Sequence, residues 1–419
     1  MLIRDVEVQG RGRVDVRVRG GCVVEVGEHL VGPRVIDGRG GALLPGLHDH
    51  HVHLAALAAE RASVRVGPAE VTGTDGLAKA LRAGQPGEWV RAVGYHESVA
   101  GVLDRAALDR LVDDRPVRVQ HRSGELWMWN SAALRAAGLD EGDGRFWRTD
   151  ERLRACLPPT PLDIRGVGRL AAARGLTGFT NADPHPASDL RTLLKELPQR
   201  LTIMTLDPMA PVKIRLDDLT LPSPADLAER IMRARPRPVA VHCVTRVQLF
   251  VTLLALDEAG SRPGDRVEHG AVIPEEAMDW IRGLGVTVVT QPHFPVERAA
   301  AYSADVLPED RPHLYRCGTL VAAGVPVAAG TDAPYGTADP WSVMRTAAGR
   351  HGREAMSPRS ALGLFLGAAL APGGPVRTVE PGAPADLCLL HVPLSRALGA
   401  LTADVVRATF VGGMRLPGR

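Results

Sequence analysis

Leu43-Leu44-Pro45-Gly46-Leu47-His48-Asp49-His50-His51-Val52-His53 decides how this chain is read, because an apolar run ends abruptly in an aspartate and a His-x-His pair. In an extended strand, residues two apart point to the same side. His51 and His53 can therefore hold one metal ion between them, with Asp49 projecting the same way, and imidazole is a common ligand for zinc and related ions. His48 and His50 then face the opposite side and are read as structural or as supporting the ligands from behind.

Four later segments each look like a short apolar strand with a potential ligand in it or at its end: Pro211-Val212-Lys213-Ile214, Val239-Ala240-Val241-His242, Asp265-Arg266-Val267-Glu268-His269, and Val325-Pro326-Val327-Ala328-Ala329-Gly330-Thr331-Asp332. Taken singly, Lys213 would be a surface side chain, His242 and His269 core histidines, and Asp332 a helix N-cap. The order His51, His53, Lys213, His242, His269, Asp332 instead makes a complete ligand set.

This set resembles the amidohydrolase superfamily. Within it, Pro116-Val117 through Asn130-Ser131-Ala132-Ala133-Leu134, Val212-Lys213-Ile214, Val267-Glu268-His269, Gln291-Pro292, Gly330-Thr331-Asp332-Ala333-Pro334 and Asp339-Pro340-Trp341 look like amidohydrolase family 3, which includes N-substituted formamide deformylases. The resemblance runs from about Gly40 to Leu390. It implies an α/β fold, a TIM-like (β/α)8 barrel with a small β-sandwich domain built from both termini. It also implies that His51 and His53 bind the more buried metal, that His242 and His269 bind the more exposed one, and that Lys213 bridges both as a carbamate. The cofactor is then one or two divalent ions, zinc first among them, with iron, manganese and nickel also suited to such ligands.

Hydrolysing an amide near neutral pH needs a hydroxide-like nucleophile, a polarised carbonyl and a proton for the leaving nitrogen, and a metal centre with one carboxylate can supply all three. Asp332 is the expected general acid and base. His293, in Gln291-Pro292-His293-Phe294, is a second catalytic candidate that would bind the scissile group or a carboxylate. Tyr95, His96, Glu125, Trp127, Arg246 and Tyr335 are expected, with His293, to face substrate. Two departures from the family pattern alter the polar groups there: Glu125 stands where a histidine usually follows Ser-Gly, and Thr245-Arg246 replaces the usual Gly-Asp.

Composition fits an ordinary globular protein: 419 residues, 45% hydrophobic and 23% charged, enough for one barrel of roughly 250 residues and a satellite domain. Net charge is +2 with no long block of either sign, so nothing points to nucleic acid or a membrane as partner, and a small-molecule substrate is expected. Monomer and homo-oligomer both remain open. Cys22, Cys156, Cys243, Cys317 and Cys388 are scattered, without a Cys-x-x-Cys, which suits reduced thiols. The N-terminus lacks the apolar core of a signal peptide, and the expected location is the cytoplasm.

Alternating Val and charged residues before Ala42, and strand-like segments after Ala385, place the small domain at 1–41 and 375–419 around a barrel at 42–374. Barrel strands are expected at Ala42 to Leu47, Pro116 to Gln120, Gly178 to Asn181, Val212 to Leu216, Val239 to His242, Arg266 to His269, Val286 to Gln291 and Val325 to Ala329. Helices are expected at Leu162 to Ala173, Ser223 to Ala234 and Leu249 to Ala259, and an insertion covering the site at about 54–114. The leading function is hydrolysis of a non-peptide carbon–nitrogen bond in an amide, N-formyl, N-acyl or cyclic amide. Alternatives are heterocycle deamination, for which His242-Cys243-Val244-Thr245 lacks the usual glutamate, ester or lactone hydrolysis, and a non-catalytic barrel that binds a small molecule.

Overall fold

A computed structural model describes residues 1–10, 12–83, 87–139, 142–147, 153, 156–157 and 162–418. The chain divides into two compact units, Met1–Leu54 with Ile164–Arg419, and Ala55–Asp163.

In the larger unit the termini meet in one sheet. Strands β1 (Leu2–Val8), β2 (Arg13–Arg19), β3 (Cys22–Gly27), β4 (Val35–Asp37) and β5 (Ala42–Pro45) join β19 (Leu387–Leu390), β20 (Val406–Val411) and β21 (Met414–Arg415). The order is β21-β20-β19-β5-β1-β2-β3, with β4 on β1. This is a single ladder, not the two separate sheets expected of a sandwich, because β5 pairs parallel with β1 on one side and antiparallel with β19 on the other. The ladder curls, since Val23 on its far edge donates to the Ala383 carbonyl at 2.8 Å. Alternation along the strands sends Ile3, Val6, Val16, Val18, Leu387, Leu389 and Phe410 into one apolar core.

The expected first barrel strand at Ala42 to Leu47 is thus corrected. Ala42–Pro45 belongs to the terminal sheet, and the strand that carries the histidines is β6 (Leu47–Val52). Gly46 makes the break possible: a Cβ there would lie 2.0 Å from the Thr177 side chain, so only glycine lets the chain cross at that depth.

Strand β6 pairs parallel with β12 (Leu176–Asn181), which pairs parallel with β13 (Arg200–Ile203). A second parallel sheet runs β14 (Val212–Ile214), β15 (Val239–Cys243), β16 (Arg266–His269), β17 (Thr287–Thr290) and β18 (Val327–Ala329). Between them run helices at Ile164–Ala173, Pro224–Ala234 and Arg246–Ala259, close to the expected positions; Ser223 and Thr245 accept from the first-turn amides of the last two. Arg200–Ile203 is a strand that the sequence reading missed, its burial being partial and its alternation short.

In the smaller unit, β7 (Val64–Arg65), β8 (Val90–Tyr95), β9 (Val117–His121), β10 (Leu126–Trp129) and β11 (Arg145–Trp147) form a five-stranded sheet. The segment Pro116 to Gln120, expected as the second barrel strand, is therefore β9 of this sheet. It lies parallel to β8 and antiparallel to β10, and Val117 and Val119 pack with Leu77, Leu81, Val90 and Leu108 in a core of their own. The inserted unit accordingly continues past Asp114 to Asp163.

Backbone bonds tie β6 to the segment after β18: Asp332 N donates to His51 O at 2.8 Å and His53 N to Ala333 O at 2.9 Å. Deeper in the sheet the facing amides of His48 and Ala329 bond instead to Phe365 O and Leu364 O. Gly330 sits at this junction, where a Cβ would lie 2.4 Å from the His51 Cβ. Gly330→Ala is expected to destabilise the fold by about 1–3 kcal/mol through overpacking, read as a lowered denaturant midpoint at unchanged slope; a midpoint equal to the parent's would show that the strands separate freely there.

Candidate functional site

Every residue of the expected ligand set lies in the larger unit. His51 is the penultimate residue of β6 and His53 directly follows the strand, while Asp332 stands three residues after β18. Nε2 of His53 is 3.3 Å and Nε2 of His51 is 3.5 Å from Asp332 Oδ1, and the ligand atoms of the three lie within 4.8 Å of one another. Asp49, expected to project with them, is held elsewhere: it accepts from Thr331 N at 3.0 Å, from Thr331 Oγ1 at 2.5 Å and from His51 N at 3.2 Å. It clamps the Asp332 segment to β6 and is not free to ligate.

The His269 ring is 4.7 Å from His51 and 4.5 Å from His242, so each imidazole neighbours the next in the order His53, His51, His269, His242. Lys213, second residue of β14, is buried with its Nζ among charges that include Glu268 and Asp332. Of the six expected ligands the tightest group is His51, His53 and Asp332, with His269 beside His51, His242 beside His269, and Lys213 buried in the same charged surroundings.

These residues fit a cation. His51 Nε2, Lys213 Nζ and Asp332 Oδ1 are buried and make no hydrogen bond, an arrangement that costs about 1–3 kcal/mol per atom unless something else satisfies them. The separations of 3.3 and 3.5 Å exceed those of charge-assisted hydrogen bonds, but ligands each about 2.1 Å from one tetrahedral ion stand roughly 3.4 Å apart.

Electrostatics follow from burial. It pushes the Lys213 ammonium below its usual range and holds His242 well below that of a free imidazole. For His53 the Asp183 and Asp332 carboxylates outweigh burial and raise its pKa to about 9. Burial also works against the charge on Asp332, yet His53, His269 and His51 hold its carboxyl well below the usual carboxylate range.

Three partners of the ligands escaped the sequence reading. Glu268 accepts from His51 Nδ1 and, through its other oxygen, from Arg266 Nε, all three side chains being fully buried. Asp183 accepts from His53 Nδ1 at 2.6 Å, and Gln291 Oε1 from His269 Nδ1 at 2.9 Å. Strict alternation would send Glu268 and His269 to opposite sides of β16. His269 instead has φ of +68° and Asp332 +54°, left-handed backbone that non-glycine residues rarely adopt and that clusters at functional sites. At His269 this turn lets two adjacent side chains approach His51 together.

The substrate candidates divide. His293 is 1% exposed, with both ring nitrogens unpartnered, and burial pushes its pKa down to about 4. The Tyr335 ring stands edge-on to His53 at 5.4 Å. Arg246 also lies in the larger unit, but Asp310 at 2.6 Å and Glu276 at 3.2 Å already balance its charge. Tyr95, His96, Glu125 and Trp127 belong to the smaller unit. Two of them are corrected as core residues: Tyr95 is fully buried and donates to Gly101 O at 2.5 Å, and Trp127 packs with Trp129 and Phe146 beneath the Arg91 and Arg118 guanidiniums. His96 caps the helix Glu97–Ala100, and Glu125 is half-buried in the turn before β10.

Such a ligand cluster at the ends of parallel strands defines a metal-dependent hydrolase of the amidohydrolase superfamily. Residues 34–154 and 193–416 match the amidohydrolase family, and the chain belongs to amidohydrolase family 3. No curated protein matches it. Its fold is similar to that of an uncharacterized metal-dependent hydrolase from Pyrococcus horikoshii (TM-score 0.75, 19% identity, 95% of this chain and 99% of that one) and another from Pyrococcus furiosus (0.73, 19%, 92% and 97%). It is also similar to N-isopropylammelide isopropylaminohydrolase from Burkholderia multivorans (0.57, 19%, 100% and 98%). Among the described residues no helix is long and apolar enough to cross a membrane.

Proposed function

We propose that this chain hydrolyses a non-peptide carbon–nitrogen bond of a small molecule, in an amide, N-formyl, N-acyl or cyclic amide group. The observation that carries this reading is the unpartnered Asp332 Oδ1, set 3.3 and 3.5 Å from two histidine nitrogens in a buried site. One or two divalent ions held by His51, His53, His242, His269 and Asp332, zinc first among candidates, would supply Lewis acidity and lower the pKa of a water towards neutrality. Asp332 takes the proton of the water that attacks the carbonyl and returns it to the leaving nitrogen as the carbon–nitrogen bond breaks. His293, buried, with neither ring nitrogen hydrogen-bonded and Nε2 3.9 Å from Glu297, orients the scissile group, and Tyr335 lines the approach.

The two parallel sheets are read as arcs of one (β/α)8 barrel. Support comes from the bonds across both gaps: Thr205 N to Pro211 O at 2.9 Å and Lys213 N to Thr205 Oγ1 at 3.0 Å on one side, Asp332 N to His51 O on the other. Lys213 would bridge two ions as a carbamate, a reading supported by its burial and its unpartnered, readily neutral amine. Five unpaired cysteines favour a reducing compartment.

The test is metal content per chain after expression with zinc and bicarbonate, for the parent and Lys213→Ala, followed by a panel of formamides, N-acyl amines, cyclic amides, aminated heterocycles and lactones. About two ions per chain, fewer in the variant, with turnover of an amide, is the expected result. A fully loaded protein inert towards the whole panel would overturn the hydrolase reading.

A further inference from the structure

The histidines that face Asp332 are held from behind by three different acceptors. His51 Nδ1 donates to Glu268, whose charge Arg266 neutralises; the Arg266 guanidinium is itself anchored, donating to His50 O at 2.8 Å. His53 Nδ1 donates to Asp183 Oδ1 at 2.6 Å, and Asp183 Oδ2 accepts from a neutral amide, Asn181 Nδ2 at 3.0 Å. Among the described residues no lysine or arginine comes within 4.0 Å of Asp183. His269 Nδ1 donates to the uncharged Gln291 Oε1 at 2.9 Å.

Each acceptor fixes the same tautomer. With the proton on Nδ1, the ring presents the lone pair of Nε2 to the centre. The acceptors differ in charge, and a ring that donates to a full negative charge is the stronger electron donor through its other nitrogen. An ion-paired carboxylate passes on less of that effect, and an amide oxygen least.

We propose that Asp183 is a positioning residue that makes His53 the strongest metal ligand of the centre, ahead of His51 and then His269, so that ligand strength is graded by the charge behind each ring. This rests on the metal centre proposed above. It does not rest on the reaction, because the readout is metal affinity and a protein inert towards every amide would still report it.

Zinc affinity would be measured by competition with a chromogenic chelator for the parent, Asp183→Asn and Gln291→Glu, with thermal melts as a check on folding. Asp183→Asn keeps an oxygen that accepts from His53 and removes the charge, at the cost of the bond from Asn181 Nδ2. It should weaken zinc binding by about 10–100-fold. Gln291→Glu is nearly isosteric, and because Gln291 Nε2 is buried without a partner the change breaks no hydrogen bond. It should tighten zinc binding by about tenfold, a gain that a merely structural role does not give. Asp183→Asn within twofold of the parent, Gln291→Glu unchanged or weaker, or a parent that takes up no zinc would each overturn the proposal.

Discussion

Asp332→Asn is expected to lower turnover by about 10²–10⁴-fold, the usual contribution of a positioned proton-transfer group, while metal content stays near that of the parent. Asparagine suits this test for a backbone reason. Residue 332 has φ of +54°, and asparagine enters the left-handed region about as readily as aspartate, so the strand end and the Asp332 N to His51 O bond should survive. What is lost is the charge on Oδ1 and its capacity to carry a proton between water and the leaving nitrogen. Emission spectroscopy for metal and initial rates on the best amide of the panel separate the two effects. Metal retained with turnover retained would remove Asp332 from the proton-transfer role.

Glu268→Leu is expected to destabilise the protein by about 3–5 kcal/mol, because it leaves the buried Arg266 guanidinium without its counter-charge. Arg266 is 1% and Glu268 0% exposed, and Glu268 also holds His51. Combining Glu268→Leu with Arg266→Met should recover much of that loss, since two apolar side chains of similar volume remove both charges at once. Denaturant melts of the metal-free single and double variants measure this directly. A single variant as stable as the parent would mean that water reaches the pair. Metal affinity should stay impaired in the double variant, because His51 would still lack its acceptor.

The sequence carried the ligands better than the strands. Six residues could be singled out because metal chemistry restricts the residue types and a strand end restricts their spacing, so His51, His53, Lys213, His242, His269 and Asp332 were recognisable from local pattern. Ala42–Pro45 and Pro116–Gln120 were misplaced because an apolar run says that a segment is an extended, buried strand without saying which sheet buries it. Asp49 misled for a related reason: its partner Thr331 lies 282 residues away in sequence. Tyr95 and Trp127 read as candidates for the site because aromatic residues suit both pockets and cores, and only burial distinguished the two.

By itself, then, the sequence determined the chemistry: which side chains could bind a cation, that a carboxylate stood among them, and that βα units lay between two strand-rich ends. Those properties depend on residue type and on neighbours a few positions apart. Only the tertiary structure decided which carboxylate faces the histidines and which clamps, that Glu268, Asp183 and Gln291 stand behind three of the histidines, and that a separate unit interrupts the chain from Ala55 to Asp163. Each of these depends on contacts between segments far apart in the chain, or on a left-handed turn such as that at His269, which breaks the alternation from which a sequence is read.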